Sequence, residues 1–408
     1  FSDFYTWSVR EPPKFWQHVW DYCGVIASKR PDAVLESPAL MPGAKWFPGA
    51  KLNFAENLLR FRDERPALIF WGETQERRAV SYQELFQKVA CVAHGLKSMG
   101  VVRGDRVAGL MPNMPETIIA MLATSSLGAV WSSCSPDFGV SGVLDRFGQI
   151  EPKVLFSPDG YFFKGQVIDC LAKCAEISEQ ISSLKQVVIV PYSRHSQDYS
   201  GIKNAVGLDS LLSSGTTPLI AFEQLPFEHP LYIMFSSGTT GKPKCIVHGQ
   251  GGTLLEHLKE LILHTNVKRD DKIFYQTTCG WMMWNWLVSS LATGATLLLY
   301  EGAPFHNHGL VLFDLAEKEK MTVFGTSAKY ISALEKEGLE PKRTHDLSSL
   351  HTMLSTGSPL APEGFDYVYL KVKEDICLSS ICGGTDIVGC FMLGCPNIPV
   401  YRGEIQTR

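Results

Sequence analysis

The sequence lacks the features that mark several large classes of protein. Its 408 residues carry a formal charge of -4, so it has no basic excess of the kind used to bind nucleic acid. No uninterrupted apolar run approaches the ~20 residues of a membrane-spanning helix, and the opening FSDFYTWSVREPPKFW has neither the basic head nor the apolar core of a secretory signal. We therefore expect a cytoplasmic protein with no nucleic-acid or membrane partner, whose oligomeric state the sequence leaves open.

Paired cysteine spacings are also missing. Eleven cysteines are present, but CLAKC (Cys170, Cys174) and CFMLGC (Cys390, Cys395) match neither a CxxC redox motif nor a zinc knuckle. Scattered cysteines of this kind are typical of reduced, buried thiols in an intracellular protein.

Apolar runs are plentiful, and they alternate with helical patterns. A chain of 408 residues exceeds what one hydrophobic core usually holds. Short apolar runs separated by helical stretches predict an α/β fold with mostly parallel, buried strands. The predicted strands are RVAGLM (106–111), KVLFS (153–157), LYIMF (231–235), KIFYQTT (272–278), TLLLY (296–300), TVFGT (322–326), HTMLSTG (351–357) and ICLSSI (376–381).

Composition changes suggest the domain limits. Residues 1–60 are rich in tryptophan and proline and predict an N-terminal extension packed on the main body. Polar residues at 193–217 place a boundary between a first α/β subdomain (61–217) and a second (218–395). Residues 396–408 are interpreted as the start of a third subdomain that is not completed. SYQE (81–84) and TLLE (253–256) are both predicted to begin helices as capping boxes.

The stretch YIMFSSGTTGKPK (232–244) has the composition of an anion-binding loop. Two glycines allow backbone N–H groups to converge, while hydroxyls and two lysines add donors and positive charge. A P-loop kinase is disfavoured, because the glycines are too close for GxxxxGK[ST] and Pro243 prevents the helix that follows such a loop. The candidate phosphate-binding residues are Ser236, Ser237, Gly238, Thr239, Thr240, Gly241, Lys242 and Lys244.

This loop resembles the phosphate-binding loop of the adenylate-forming superfamily, which includes the acyl-CoA synthetases. The resemblance implies the large N-terminal domain of such an enzyme, with ATP, Mg²⁺ and coenzyme A as cofactors. It implies that Thr240 and Lys244 act on the β and γ phosphates. HTMLSTGSPL is similar to the family's adenine-lining turn, which implies that Gly357, Ser358 and Pro359 contact the base.

GGTDIVG is similar to the family motif that meets the α-phosphate and magnesium. The resemblance assigns these roles to Thr385 and Asp386, with Gly383 and Gly384 beside the nucleotide. Asp386 is a shorter acid than the usual glutamate. Acetate-activating relatives place a tryptophan just before the threonine, so the two glycines imply room for a longer acid.

TTCGWMMWNW (277–286) occupies the place of the family's acyl-pocket motif. Together with GTSAKY, SSCSPDFGVSGVLDRF and VYRGEIQ it resembles the acetoacetate-activating branch of the acyl-CoA synthetases. Gly280, Trp281 and Gly383 are therefore expected to shape the acid pocket, whereas Trp284 and Trp286 stay open between the pocket and the core. A buried keto oxygen needs a donor. The candidate donors are Trp281, Ser327 and Lys329, and we favour Lys329.

The reaction implied is ATP-dependent activation of acetoacetate to acetoacetyl-AMP and pyrophosphate, followed by transfer to coenzyme A. Relatives continue past YRGEIQ into a small C-terminal cap domain that is not within these 408 residues. Impaired adenylation is expected if they are the entire polypeptide, and we favour their being part of a longer enzyme. Two alternatives stay open: activation of another short acid such as butyrate or propionate, and a non-catalytic nucleotide-binding role.

Overall fold

The structure is a computed structural model that describes residues 1–74, 76–194, 198–213, 218–236, 241–306 and 309–407. Its strands are β1 (Ala27–Lys29), β2 (Leu35–Glu36), β3 (Lys45–Trp46), β4 (Lys51–Leu52), β5 (Pro66–Gly72), β6 (Arg77–Ser81), β7 (Arg106–Leu110), β8 (Val130–Cys134), β9 (Val154–Pro158), β10 (Gly160–Phe163), β11 (Gln166–Asp169), β12 (Gln186–Val190), β13 (Ala205–Gly207), β14 (Leu225–Pro226), β15 (Pro230–Ser236), β16 (Lys244–Gly249), β17 (Lys272–Tyr275), β18 (Thr296–Glu301), β19 (Val323–Ser327), β20 (Thr352–Thr356), β21 (Cys377–Ser380), β22 (Cys382–Gly384) and β23 (Gly389–Met392).

The α-helices are α1 (Ser2–Arg10), α2 (Pro12–Tyr22), α3 (Phe54–Leu58), α4 (Tyr82–Ser98), α5 (Pro115–Ser126), α6 (Val140–Ile150), α7 (Leu171–Gln180), α8 (Leu208–Leu212), α9 (Gln250–Leu258), α10 (Met282–Ser289), α11 (Val311–Glu319), α12 (Ala328–Lys336), α13 (Pro341–Thr344) and α14 (Pro362–Tyr367). Two π-helical segments, Lys259–His264 and Val368–Val372, and one 3-10 segment, Ser290–Thr293, continue α9, α14 and α10. None of the helices in the described ranges is both long and apolar enough to cross a membrane.

Two seven-stranded sheets form the body of the protein. The first has the order β13-β12-β9-β7-β8-β15-β16 and the second the order β21-β20-β19-β17-β18-β5-β6. In each sheet all neighbours are parallel except the last pair, β15 with β16 and β5 with β6. The predicted α/β fold with mostly parallel sheets is thereby confirmed, because runs such as β12 and β18 are buried along nearly their whole length.

The two sheets exchange strands across the predicted boundary at residue 217. β5 and β6 come from the first half of the chain but belong to the second sheet, where β5 pairs with β18 and β6 pairs with β5. β15 and β16 follow the boundary but lie beside β8 in the first sheet. The division at 217 therefore does not separate the sheets. The predicted boundary assigned each strand to a sheet by its order along the chain, whereas the observed pairing joins strands that are far apart in sequence.

The two predicted capping boxes have different outcomes. α4 begins as expected, with Ser81 accepting from the Glu84 N–H and the Glu84 side chain accepting from the Ser81 N–H. The TLLE prediction is wrong, because α9 begins earlier, at Gln250, and the Thr253 hydroxyl donates to the Gly249 carbonyl at 2.7 Å. The buried Gln250 side chain anchors this start, since its amide N–H groups bond three backbone carbonyls of two other segments, β4 and β14.

Residues 1–60 pack on the body through aromatic rings. Trp20 stacks on Phe47 with ring centroids 5.0 Å apart, and Phe47 lies 4.9 Å from Phe227, just before β15. Asn53 adds a polar connection by donating to the Ser125 carbonyl at the end of α5. This segment therefore shares the largest buried apolar cluster with both sheets.

Candidate active site at the carboxyl edge of the second sheet

The carboxyl ends of the second sheet's parallel strands lie side by side. The register pairs Ser327 with Thr356 and Ser355 with Ser380, so the segments after β19, β20 and β21 leave the sheet at one edge. Gly357 follows β20 with a φ of +87°, in the left-handed region that favours glycine. A Cβ built on Gly357 would lie 3.9 Å from the Cβ of Ser327. Open α/β sheets bind ligands at such edges.

The predicted adenine-lining residues occupy this edge. Gly357, Ser358 and Pro359 are exposed and follow a strand whose Thr356 hydroxyl donates to the Ile381 carbonyl at 3.0 Å. That bond connects the turn after β20 to the segment leading into β22. The turn is therefore open to a ligand on one side and held to the sheet on the other.

Thr385 and Asp386 lie in the turn between β22 and β23. The Thr385 carbonyl accepts a hydrogen bond of 2.8 Å from Nε2 of His248, which is buried on β16. Burial lowers the pKa of His248, while the bond to Thr385 and the nearby Asp386 carboxylate oppose that shift. Asp386 itself is exposed. The turn thus has a fixed backbone and a free carboxylate.

Gly383 and Gly384 differ in their surroundings. A Cβ on Gly383 would meet the Gly389 carbonyl oxygen at 2.3 Å and the Cα of Cys390 at 2.8 Å. A Cβ on Gly384 would have no heavy atom within 4 Å. Glycine at 383 is therefore required by the pairing of β22 with β23, and the open volume inferred from the sequence lies at Gly384.

The segment predicted to bind anions lies between β15 and β16. Ser236 and Lys244 face each other across this antiparallel pair, and Gly241 has a φ of +102°. Lys244 is exposed, and Nζ of Lys242 lies 4.0 Å from an Asp145 oxygen on α6. The predicted residues Ser237, Gly238, Thr239 and Thr240 lie outside the described residues. Since Lys244 and His248 share β16, the loop and the Thr385 turn are connected through one strand.

A cavity of about 340 Å³ opens at the same sheet edge. Trp281 and Ser327, both predicted for the acid site, line it together with Gln276, Thr278, Tyr300 and Glu301. Trp281 is 53% exposed at the N-terminus of α10. The Ser327 hydroxyl oxygen accepts the Tyr330 N–H at 3.2 Å, which leaves its own hydrogen available to a ligand. The volume is within the ~300–1,000 Å³ range of small-molecule sites.

Two other predicted acid-site residues lie apart from this cavity. Gly280 packs against the end of β8, where its Cβ would lie 3.5 Å from the Ser135 nitrogen, and it lines a separate small space with Trp131 and Asn285. Lys329 is exposed near the start of α12. Of the three candidate donors to a keto oxygen, Trp281 and Ser327 are the ones that reach the cavity wall.

The sequence did not single out Glu301 as a site residue. It ends β18 at the cavity wall, and one of its oxygens accepts the Asn113 N–H at 2.7 Å. Burial is the main cause that raises its pKa to about 8, and the nearby Asp137 and Glu73 add to this. A pKa raised in this direction favours the neutral carboxyl group, which can donate a hydrogen bond. Its position directly after the predicted strand TLLLY was the available signal.

Trp284 and Trp286, which the sequence left open between pocket and core, belong to the core. Both are fully buried, and their indole N–H groups donate to Asn113 Oδ1 at 3.1 Å and to Glu260 Oε2 at 2.8 Å. The tryptophan cluster therefore divides into one residue that faces the cavity and two that hold α10 in place.

Comparison with known proteins identifies the family. A family model described as AMP-binding enzyme matches residues 54–401. A second, described as acetyl-coenzyme A synthetase N-terminus, matches residues 1–58. The chain belongs to the family of AMP-binding enzymes, in agreement with the resemblance that its motifs show.

Within this family, the relatives most similar in sequence include acetoacetyl-CoA synthetases. The chain is 52% identical over 407 residues to the acetoacetyl-coenzyme A synthetase of Rhizobium meliloti, and 49% identical over 416 residues to the acetoacetyl-CoA synthetase of Mus musculus. The structure of the acetoacetyl-CoA synthetase from Streptomyces lividans superimposes with a TM-score of 0.93 at 42% identity and covers 98% of this chain. The chain spans 62% of each of these three relatives.

Proposed function

We propose that this chain is the nucleotide- and acid-binding part of an ATP-dependent acetoacetate–CoA ligase. One arrangement carries the proposal: the predicted phosphate loop and the Thr385 turn are connected through β16 of the first sheet, and a cavity lined by Trp281 and Ser327 opens at the carboxyl edge of the second sheet. The similarity to acetoacetyl-CoA synthetases supports acetoacetate as the acid.

The first half-reaction needs no protein nucleophile. A carboxylate oxygen of the acid forms a bond to the α-phosphorus of ATP, and the bond from that phosphorus to the bridging oxygen of the β-phosphate breaks, so that pyrophosphate leaves. The protein must bring two anions together and balance the charge that develops. Lys242, Lys244 and Gly241 belong to the loop assigned to the β and γ phosphates, and Thr385 is assigned to the α-phosphate.

A magnesium ion suits the exposed Asp386. Mg²⁺ is usually held by one or two carboxylates together with substrate phosphates and water, so a single accessible carboxylate beside the phosphate site is an adequate protein contribution. When bound, the ion neutralises phosphate charge. Asp386 would hold it, and the Thr385 backbone, fixed by His248, keeps that carboxylate in place.

The second half-reaction transfers the acyl group. The sulfur of coenzyme A forms a bond to the acyl carbon, the bond from that carbon to the phosphate oxygen breaks, and AMP leaves with the electron pair while the thiol proton is lost. The cavity suits the acyl group because its wall offers donors, among them Glu301, whose pKa is raised to about 8 by burial and by Asp137 on the same wall. Ser327 and neutral Glu301 can each donate to a keto oxygen.

The test is thioester formation by the full polypeptide that contains this chain, supplied with ATP, Mg²⁺ and coenzyme A. Acetoacetate, butyrate, propionate and acetate are compared by kcat/KM, and acetoacetate is expected to be the best. Thr385→Val should lower kcat by about 10²–10³-fold, the usual effect of removing one donor to developing charge. The matched control Lys336→Ala changes an exposed residue at the end of α12 and should have no effect. A preference for butyrate or propionate would contradict the acid assignment, and no acid-dependent pyrophosphate release would contradict the ligase.

A further inference from the structure

A buried polar cluster lies behind the Thr385 turn, on the helix that follows β16. α9 passes into the π-helical segment Lys259–His264 at this point. Nε2 of His257 donates to the Val388 carbonyl at 2.5 Å, and Oε1 of Glu260 accepts the Cys390 N–H at 2.7 Å. Both side chains have 0% exposure. The helix therefore bonds directly to the backbone of the hairpin that presents Thr385.

The contact between helix and hairpin is close. A Cβ on Gly389 would lie 2.9 Å from Oε1 of Glu260 and 3.0 Å from Cγ of Glu256, so the hairpin packs directly on these side chains. One turn further along, Nδ1 of His264 bonds the Gly394 carbonyl at 3.0 Å. The helix thus fixes the hairpin at several points along its return strand.

The same two side chains also bond α10. Nδ1 of His257 lies 2.7 Å from the Ser289 hydroxyl, and Oε2 of Glu260 accepts the Trp286 indole N–H at 2.8 Å. α10 begins directly after Trp281, which lines the cavity. Each of His257 and Glu260 therefore bridges the cavity helix and the phosphate-side hairpin.

Burial fixes the proton positions in this cluster. Burial lowers the pKa of His257 to about 4, so the neutral ring carries its hydrogen on Nε2, toward the carbonyl, and accepts at Nδ1. Burial and the neighbouring Glu256 raise the pKa of Glu260 to about 8, while Glu256 is paired with Lys259 at 2.8 Å. Burial thus favours a neutral His257 and a protonated Glu260.

We propose that His257 and Glu260 are positioning residues for the reaction: they hold the hairpin so that Thr385 and Asp386 face the phosphates in register with the cavity helix. This inference rests on the proposed function, which gives Thr385 and Asp386 their roles. This role differs from a purely structural one, because the two side chains fix the geometry of the ligand site and do not serve only to stabilise the core.

The experiment compares His257→Leu, His257→Gln and Glu260→Gln in this chain by two readouts. Amide hydrogen exchange at residues 385–394 reports on the hairpin, and the Kd of a non-hydrolysable acetoacetyl-adenylate analogue reports on the site. Two matched controls carry similar bonds elsewhere. Nε2 of His229 also bonds a backbone carbonyl, that of Gly128, at 2.8 Å, and Glu319 also accepts a tryptophan N–H, from Trp71 at 2.9 Å.

His257→Leu removes the donor to the hairpin and should raise exchange at 385–394 and the Kd about tenfold, the change expected for the loss of one buried hydrogen bond. His257→Gln keeps a donor and should recover most of both effects. The glutamine in Glu260→Gln can accept only one of the two N–H groups. Its exchange rate and Kd should therefore lie between those of His257→Leu and His257→Gln. His229→Leu and Glu319→Gln should leave both readouts within about twofold of the unchanged chain.

Three outcomes would overturn the inference. Unchanged exchange in His257→Leu would show that the bond does not hold the hairpin. Faster exchange with an unchanged Kd would show that the hairpin's position does not matter to the ligand, and an equal effect of His229→Leu would indicate general destabilisation. If the chain without substitutions fails to bind the analogue, that result contradicts the proposed function, and the inference, which rests on that function, is contradicted as well.

Discussion

The adjacent glycines of β22 allow a matched test of the site geometry. Gly383 and Gly384 are neighbours in one strand, yet only a side chain at Gly383 would collide with β23. Contacts of 2.3 Å and 2.8 Å with backbone atoms of Gly389 and Cys390 cannot be relieved by turning a side chain, so β23 has to move. The perturbation is the pair Gly383→Ala and Gly384→Ala, which add the same methyl group one residue apart.

The magnitudes follow from these contacts. Overpacking costs about 1–3 kcal/mol, and the lower entropy of the unfolded chain returns about 0.4–1 kcal/mol when glycine becomes alanine. Gly383→Ala should therefore destabilise the chain by up to about 2.6 kcal/mol, with about 1.3 kcal/mol at the middle of these ranges. Gly384→Ala meets no atom within 4 Å and should be neutral or more stable by up to about 1 kcal/mol.

Thermal melting of the two variants beside the unchanged chain measures this difference. Gly384→Trp extends the series, because it fills the open volume and should weaken binding of an acetoacetyl-adenylate analogue more than binding of AMP. Equal melting temperatures for the two alanine variants would refute the reasoning about β22 and β23. Unaltered analogue binding by Gly384→Trp would refute the placement of the acid beside Gly384.

Three further predictions concern protonation, the cavity and the predicted lysine. Glu260 and Glu301 have folded-state pKa values raised to about 8, against about 4.3 in an unfolded chain. The folded state therefore holds the extra protons, and the free energy of unfolding should fall between pH 6.5 and 8 by up to ~1.4 kcal/mol per pH unit for each group. Denaturation at several pH values should show a shallower slope for Glu260→Gln. Trp281→Ala should weaken analogue binding, measured by calorimetry, at little cost in stability, because the ring is 53% exposed. Trp284→Ala should lower the free energy of unfolding by about 3–5 kcal/mol, measured by melting, because that ring is fully buried. Lys329→Ala should leave the kcat/KM ratio of acetoacetate to butyrate unchanged in the full polypeptide, because Lys329 is exposed, and a changed ratio would restore it as the keto-oxygen donor.

The predictions on protonation and on the cavity tryptophan can each be contradicted by one result. A free energy of unfolding that rises from pH 6.5 to 8 would contradict the protonated carboxyl groups. A large loss of stability in Trp281→Ala would mean that its ring belongs to the core.

The parts of the fold that the sequence predicts are those determined by neighbouring residues. β7, β9, β15 and β18 were found because buried parallel strands are continuous apolar runs, and α4 was found because its capping box is complete within four residues. The phosphate role of the segment after β15 stays a prediction, which the sequence allows because the donors are consecutive.

What the sequence did not predict depends on contacts between distant segments. β5 joins the second sheet by pairing with β18, more than 200 residues away, and no local pattern encodes that choice. His257 bonds the backbone of Val388, 131 residues further on, so its role could not be read from spacing. Glu301 lies at the cavity because parallel strands align their carboxyl ends, which becomes evident only once the strand order is known.

The central claim is that this chain holds an acetoacetyl-adenylate at the edge of its second sheet. Its most direct test is thermal stabilisation of the chain by non-hydrolysable acetoacetyl-adenylate and acetyl-adenylate analogues, with AMP as the control. A ligand at ~100 times its Kd adds about 2.7 kcal/mol to stability, which a melting curve resolves. We predict the largest shift for the acetoacetyl analogue, and equal shifts for all three ligands would contradict the claim.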